Sequence, residues 1–127
     1  MGRAQQLSKI GFTLAGRDAL AEYGLMSTDD SITWVECTYA LGDCGCMYLV
    51  KKEDDTETIV DNVKVSSLGK AIADYMSYPY DDSALLEAFD LMNDDEWAEV
   101  KEYIIKHNKQ DLCRDKRWEC YFDDILN

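Results

Sequence analysis

Carboxylates are the residues in this chain that are numerous and regularly spaced enough to do chemistry. Twenty-six Asp and Glu stand against 13 Lys and Arg, a formal net charge of −13 over 127 residues. Asp95, Glu99, Glu102 and Lys106 recur at three- and four-residue intervals, which places them on one side of a helix, away from Trp97 and Val100. Positions four apart on a helix lie about 6 Å from each other along its axis. Successive phosphates of a nucleic-acid strand advance about 3.4 Å along its axis and further along the backbone contour. Asp81, Asp82, Glu87, Asp90 and Asp94 extend the negative field upstream, and Glu53, Asp54, Asp55 and Glu57 form a second patch. Such a surface steers a basic partner toward itself and repels nucleic acid and anionic membranes. The plain alternative for any one patch is a solvated face that keeps the chain soluble. Adjacent pairs such as Asp81–Asp82 are too common in so acidic a chain to indicate two-carboxylate glycosidase chemistry.

The thiols and the imidazole offer less. Cys37, Cys44, Cys46, Cys113 and Cys120 are odd in number and irregular in spacing, a poor disulfide framework. A structural zinc site wants four Cys or His ligands in paired spacing. Here the near pair is Cys44-Gly45-Cys46, and the single histidine, His107, is distant. Cys37 approaches Cys46 if the strands on either side of a turn at 42–45 pair. No metal or cofactor is implied; the expectation is reduced, bystander thiols that behave as small hydrophobes. His107 lies in the polar run KHNKQ near a helix end, where a cation suits the helix dipole. Nothing brings a cysteine to it for nucleophilic catalysis. GxGxxG, P-loop, HExxH and EF-hand patterns are absent. Tyr78 and Tyr80, flanking Pro79, are candidate interface anchors, with packing of the flanking helices as the equal alternative.

These residues need a scaffold. The length predicts one domain over 1–127, and 46% hydrophobic residues with 3 Trp, 8 Tyr and 3 Phe suffice for a core. No secretory signal or membrane-spanning stretch is read from the sequence, so a reducing cytosol is expected. Residues 7–23 read as a weak helix, since Gly11 and Gly16 each cost roughly 1 kcal/mol, with Gly24 as its stop. Strands are expected over 32–39, 46–52 and 58–65, joined by a turn at 41–45 and a polar connection at 53–57. Short loops favour antiparallel neighbours. Ser66 or Ser67 then caps a helix with Leu68, Ile72 and Tyr75 inward, ended by Pro79. Asp81 or Asp82 starts a second with Leu85, Leu86, Phe89 and Met92 inward. Asn93 and Glu96 suggest a capping box for a third that runs to about His107. A last helical segment, 111–126, offers Leu112, Trp118, Phe122 and Ile125. The expected fold is α+β: a small three-stranded antiparallel sheet over about 31–65, preceded by a weak helix and followed by three to four helices.

The function expected from this reading is non-catalytic. A small acidic cytoplasmic protein binds and inhibits a basic nuclease or nucleic-acid-binding enzyme, as an immunity protein or a phage-type anti-defence inhibitor does, by presenting carboxylates where phosphates belong. It binds no nucleic acid itself. The alternatives are an adaptor or complex subunit with an aromatic interface through Tyr78 and Tyr80, and a small Cys/His enzyme.

Overall fold

The computed structural model describes residues 11–29, 31–38, 41–53, 57–79 and 81–126, with the Cys44 side chain outside that description. Asp54, Asp55 and Tyr80 therefore lie outside the described residues, as do the first residues of the helix expected at 7–23. Within the described part, that helix is shorter. Residues 13–15 run as a single extended stitch, and α1 covers Gly16–Glu22. Gly16 opens α1 at φ +43°, and a Cβ there would overlap the Trp34 ring, so no other residue fits. Gly24 stops it as expected: at φ +79° it lets Leu25 N–H donate to the Leu20 carbonyl at 2.9 Å.

The sheet departs from the expected meander. Its strands are β1 (Thr33–Cys37), β2 (Gly42–Cys44), β3 (Met47–Lys51), β4 (Glu57–Val60) and β5 (Val63–Ser66). The first three lie in the order β1-β3-β2, and β1 runs parallel to β3, with Thr33 opposite Met47 and Cys37 opposite Lys51. The segment expected as a turn, 41–45, contributes β2. The chain leaves β1, forms β2 on the far side of β3, and returns through a tight turn at Gly45-Cys46. The short connection therefore serves as a strand crossover, and shortness alone does not enforce antiparallel pairing. The expected third strand is a hairpin: Asp61 and Asn62, at φ 50° and 67°, turn the chain between β4 and β5. Two positive φ values match the right-handed twist of the flanking strands.

Residues 13–15 join the two pieces. Ala15 N–H donates to the Trp34 carbonyl and Glu36 N–H to that of Thr13, both at 2.9 Å. Leu14 N–H donates to the Lys64 carbonyl at 3.0 Å, and Ser66 N–H to that of Leu14 at 2.8 Å. One extended segment thus hydrogen-bonds β1 on one side and β5 on the other.

The helices follow their caps. The Ser67 hydroxyl accepts from Lys70 N–H and opens α2 (Leu68–Ser77), which buries Leu68, Ile72 and Tyr75. Asp81 caps α3 (Asp82–Leu91), and the reciprocal Asn93–Glu96 capping box opens α4 (Asp94–Lys106). Each such cap satisfies donors that have no partner within the helix. Gly69 lets α2 and α4 pack closely, because a Cβ there would collide with Tyr103. The expected helix at 111–126 is instead two 3₁₀ turns, Gln110–Arg114 and Glu119–Phe122, followed by α5 (Asp123–Leu126). Asp115 is extended and its carboxylate accepts from Arg117 N–H, a local bond that competes with helix continuation. Trp118 and Phe122 still reach the core, at 1% and 0% exposure. Trp34 centres one end of that core, 4.4 Å from the Tyr48 ring and 5.5 Å from Tyr75. Phe89 centres the other, 5.2 Å from Trp97 and 5.7 Å from Phe122.

Candidate functional site

The carboxylates separate into two populations. Three of those around α3, Asp81, Asp82 and Asp90, are bonded within the protein. Asp81 is a cap, Asp82 receives Arg117 Nη1 at 2.7 Å, and Asp90 accepts from the Tyr121 hydroxyl at 2.8 Å. Arg117 also holds Asp115 at 2.6 Å and lies 4.4 Å over the Trp118 ring. Hydrogen bonds from Arg117 bring the Asp115 carboxyl down to about 2. Glu87 is exposed, and Asp94 and Asp95 stand exposed in the first turn of α4, where the helix dipole favours acid. Glu53 faces inward rather than forming an outer patch. Its Oε2 accepts from the Tyr103 hydroxyl at 3.0 Å and lies 3.3 Å from His107 Nδ1.

The second population borders a cavity of about 420 Å³. Glu99, Glu102, Tyr103, Lys106 and His107 of α4 form one wall. Ser67 and Gly69 at the start of α2, Thr58 and Val60 of β4, and Tyr23 after α1 complete it. Neither Glu99 nor Glu102 has an ion pair or hydrogen-bonded side chain among the described residues. Burial and then the charge of Glu99 hold the Tyr23 phenol protonated, and its hydroxyl donates to the Ser66 carbonyl at 2.9 Å. Burial and then the charge of Asp61 raise Glu22 above the ordinary carboxylate range. Lys106, in the same wall, offsets the charge of Glu99 and Glu102 in part.

The two populations do not form one surface. Asp90 binds Tyr121, which stacks on Trp97 with ring centroids 5.6 Å apart. At about 100° per helical residue, Glu99 and Glu102 project from the opposite side of α4 from Trp97.

Between β1 and α2 lies a charge cluster that the sequence reading missed. Lys70, next to Gly69, is fully buried, 2.7 Å from Asp74 and 3.4 Å from Glu36. Ser66 Oγ donates to Glu36 Oε2 at 2.5 Å, while buried Glu36 Oε1 has no hydrogen-bond partner among the described residues. Burial raises the Asp74 carboxyl to about 6 despite the neighbouring Lys70. Fully buried Lys70 ties Glu36 of β1 to Asp74 of α2, so the cluster is a clamp between the two elements. A single signal marked it: Glu36 interrupts an otherwise apolar run in β1.

His107 stacks on Tyr103 at 4.2 Å. The parallel register places Cys37 against Lys51, whereas the Cys46 carbonyl accepts from Thr33 N–H at the other end of β1. Four rungs, about 13 Å, therefore separate Cys37 from Cys46, because the strands run the same way. Burial pushes the Cys113 thiol up to about 11. Cys46, Cys113 and Cys120 are free thiols. Among the described residues no group of three or more His, Cys, Asp or Glu is placed to hold a metal ion. Tyr78 is 42% exposed but stacks on Tyr48 with centroids 4.7 Å apart. No helix of the described chain is long and apolar enough to cross a membrane. No protein-family model matches the chain, and a search of curated proteins finds no significant relative.

Proposed function

We propose that this α+β protein is a non-catalytic inhibitor of a basic, nucleic-acid-binding partner such as a nuclease, in the manner of an immunity or anti-defence protein. The observation that carries the reading is the exposed Glu99–Glu102 pair at the cavity rim, free of cations among the described residues, whereas Asp82, Asp90, Asp115 and Asp124 are each bonded within the protein. Unpaired carboxylates that no fold contact requires are available to a partner's Lys or Arg, and a net charge of −13 accelerates the encounter. Lysine or arginine entering the cavity also meets the hydroxyls of Thr58, Ser67 and Tyr103 and the aromatic flank of Tyr23. The free thiols fit a reducing compartment such as the cytosol.

A panel of basic nucleases assayed with increasing amounts of the protein tests this reading. The expected result is stoichiometric inhibition of a target at low ionic strength, lost near 1 M salt, where the screening length is about 3 Å, and lost in the Glu99→Gln/Glu102→Gln variant. Inhibition that survives salt and the double variant overturns it. Inhibition that disappears in Tyr78→Ala instead supports the adaptor reading with its aromatic interface.

A further inference from the structure

We propose that the outer edge of β4 accepts an extended basic segment of the partner as an added β-strand. This rests on the proposed function, because it takes the partner to be basic. Among the described residues the edge is open in a definable way. A two-residue turn at Asp61-Asn62 makes Val60 and Val63 the closing hydrogen-bonded pair, and the next such pair is Thr58 with Val65. Ile59 therefore directs its N–H and C=O away from β5. The same parity appears on β5, where the Lys64 carbonyl turns outward and accepts from Leu14. Lys64 is thus satisfied, while no described residue pairs with the backbone of Ile59.

The side chains of β4 fit an incoming strand. Thr58 and Val60 line the cavity beneath Glu99 and Glu102, and the alternate residue Ile59 is 68% exposed. Apart from its shortness, β4 (Glu-Thr-Ile-Val) has no lysine or proline to guard its edge. Side chains of an added strand alternate between faces. Those on the Thr58 and Val60 side enter the acidic cavity, and those on the other side lie against Ile59. The matching segment alternates basic with apolar residues. A second copy of this chain is disfavoured, since it brings another net charge of −13 and sets Glu57 and Asp61 against like charges. Strand addition takes its affinity from main-chain bonds and its specificity from alternate pockets.

The test uses the full chain and two short synthetic peptides, one alternating arginine with valine, the other of like charge interrupted by proline. Calorimetry measures affinity and amide exchange reports on Ile59. The alternating peptide is expected to bind about tenfold tighter than the interrupted one and to protect the Ile59 amide. Ile59→Pro erases that tenfold difference without opening the β4–β5 ladder, because the lost N–H faces outward. Ile59→Ala, which keeps the outward N–H and C=O, retains the difference, so its loss in Ile59→Pro is assigned to the main-chain bond. Equal binding of both peptides, each weakened by Glu99→Gln/Glu102→Gln, overturns strand addition and leaves the basic-partner reading standing. Peptide binding indifferent to the double variant overturns both. A concentration-dependent dimer that Ile59→Pro dissolves makes a second copy the occupant and overturns the proposal.

Discussion

The acids around α3 and the acids on the cavity side of α4 are the same chemical groups in two different employments. Asp82 and Asp90 sit opposite Arg117 and Tyr121 at hydrogen-bond distance, whereas Glu99 and Glu102 face solvent over a cavity. Sequence shows both as runs of negative charge. The difference teaches that an acid becomes a candidate for recognition only after the fold has assigned partners to its neighbours. Bonded acids act on stability, and unbonded acids act on association.

The comparison is most severely tested by its buried extreme. Lys70→Ala leaves Glu36 and Asp74 without their cation and is expected to cost about 3–5 kcal/mol in chemical denaturation. A loss below about 1 kcal/mol would mean the cluster is not a clamp. Next is the pH dependence of Asp74. Its folded carboxyl titrates at about 6 against an ordinary 3.8, so between those values the native state holds more proton than the unfolded chain. Stability therefore falls as pH rises from about 4 to 6, by up to about 3 kcal/mol, then levels off. Asp74→Asn removes that slope in unfolding curves measured across the range. Asp115, lowered toward 2 by Arg117, carries the opposite sign: its contribution is present above the ordinary carboxylate range and fades as pH drops through 2.

On the association side, Glu99→Gln/Glu102→Gln is expected to weaken binding of a basic partner at least about tenfold, or about 1.4 kcal/mol, at low salt. Its thermal unfolding stays within about 0.5 kcal/mol of the parent. A large loss of stability would move these two residues into the bonded group. The smallest effect is expected from Arg117→Ala, an unfolding midpoint indistinguishable from the parent's, because the Asp82 and Asp115 pairs are solvent-exposed. A change in partner affinity with Arg117→Ala would show that the α3 side also takes part in recognition.

What the sequence made legible follows from the range of the forces involved. The Ser67, Asp81 and Asn93–Glu96 caps were readable because each is a bond between neighbours within three residues. The stripe of Glu99 and Glu102 was readable from helical period. The order β1-β3-β2 was not, since strand direction is decided by contacts across the sheet rather than by loop length. Asp61-Asn62 carried a usable turn signal that the β-branched residues on both sides obscured. The cavity was invisible because Tyr23, Thr58, Ser67 and Glu99 meet from four separate elements. The Lys70–Glu36 contact likewise joins a helix to a strand with no shared pattern.

The stitch at 13–15 has a consequence in time. During synthesis Leu14 leaves the ribosome more than 50 residues before Ser66, the last residue it pairs with. The hairpin of β4 and β5 forms locally within about 10 μs, yet it has no sheet to join until Leu14 is in place between it and β1. Until then the nascent chain exposes a strand with two open sides, the kind of surface that pairs with wrong neighbours. The residues made by that point, 1–66, carry 11 acids against 6 bases, and this net charge of −5 sets growing copies against one another while the seam is still open.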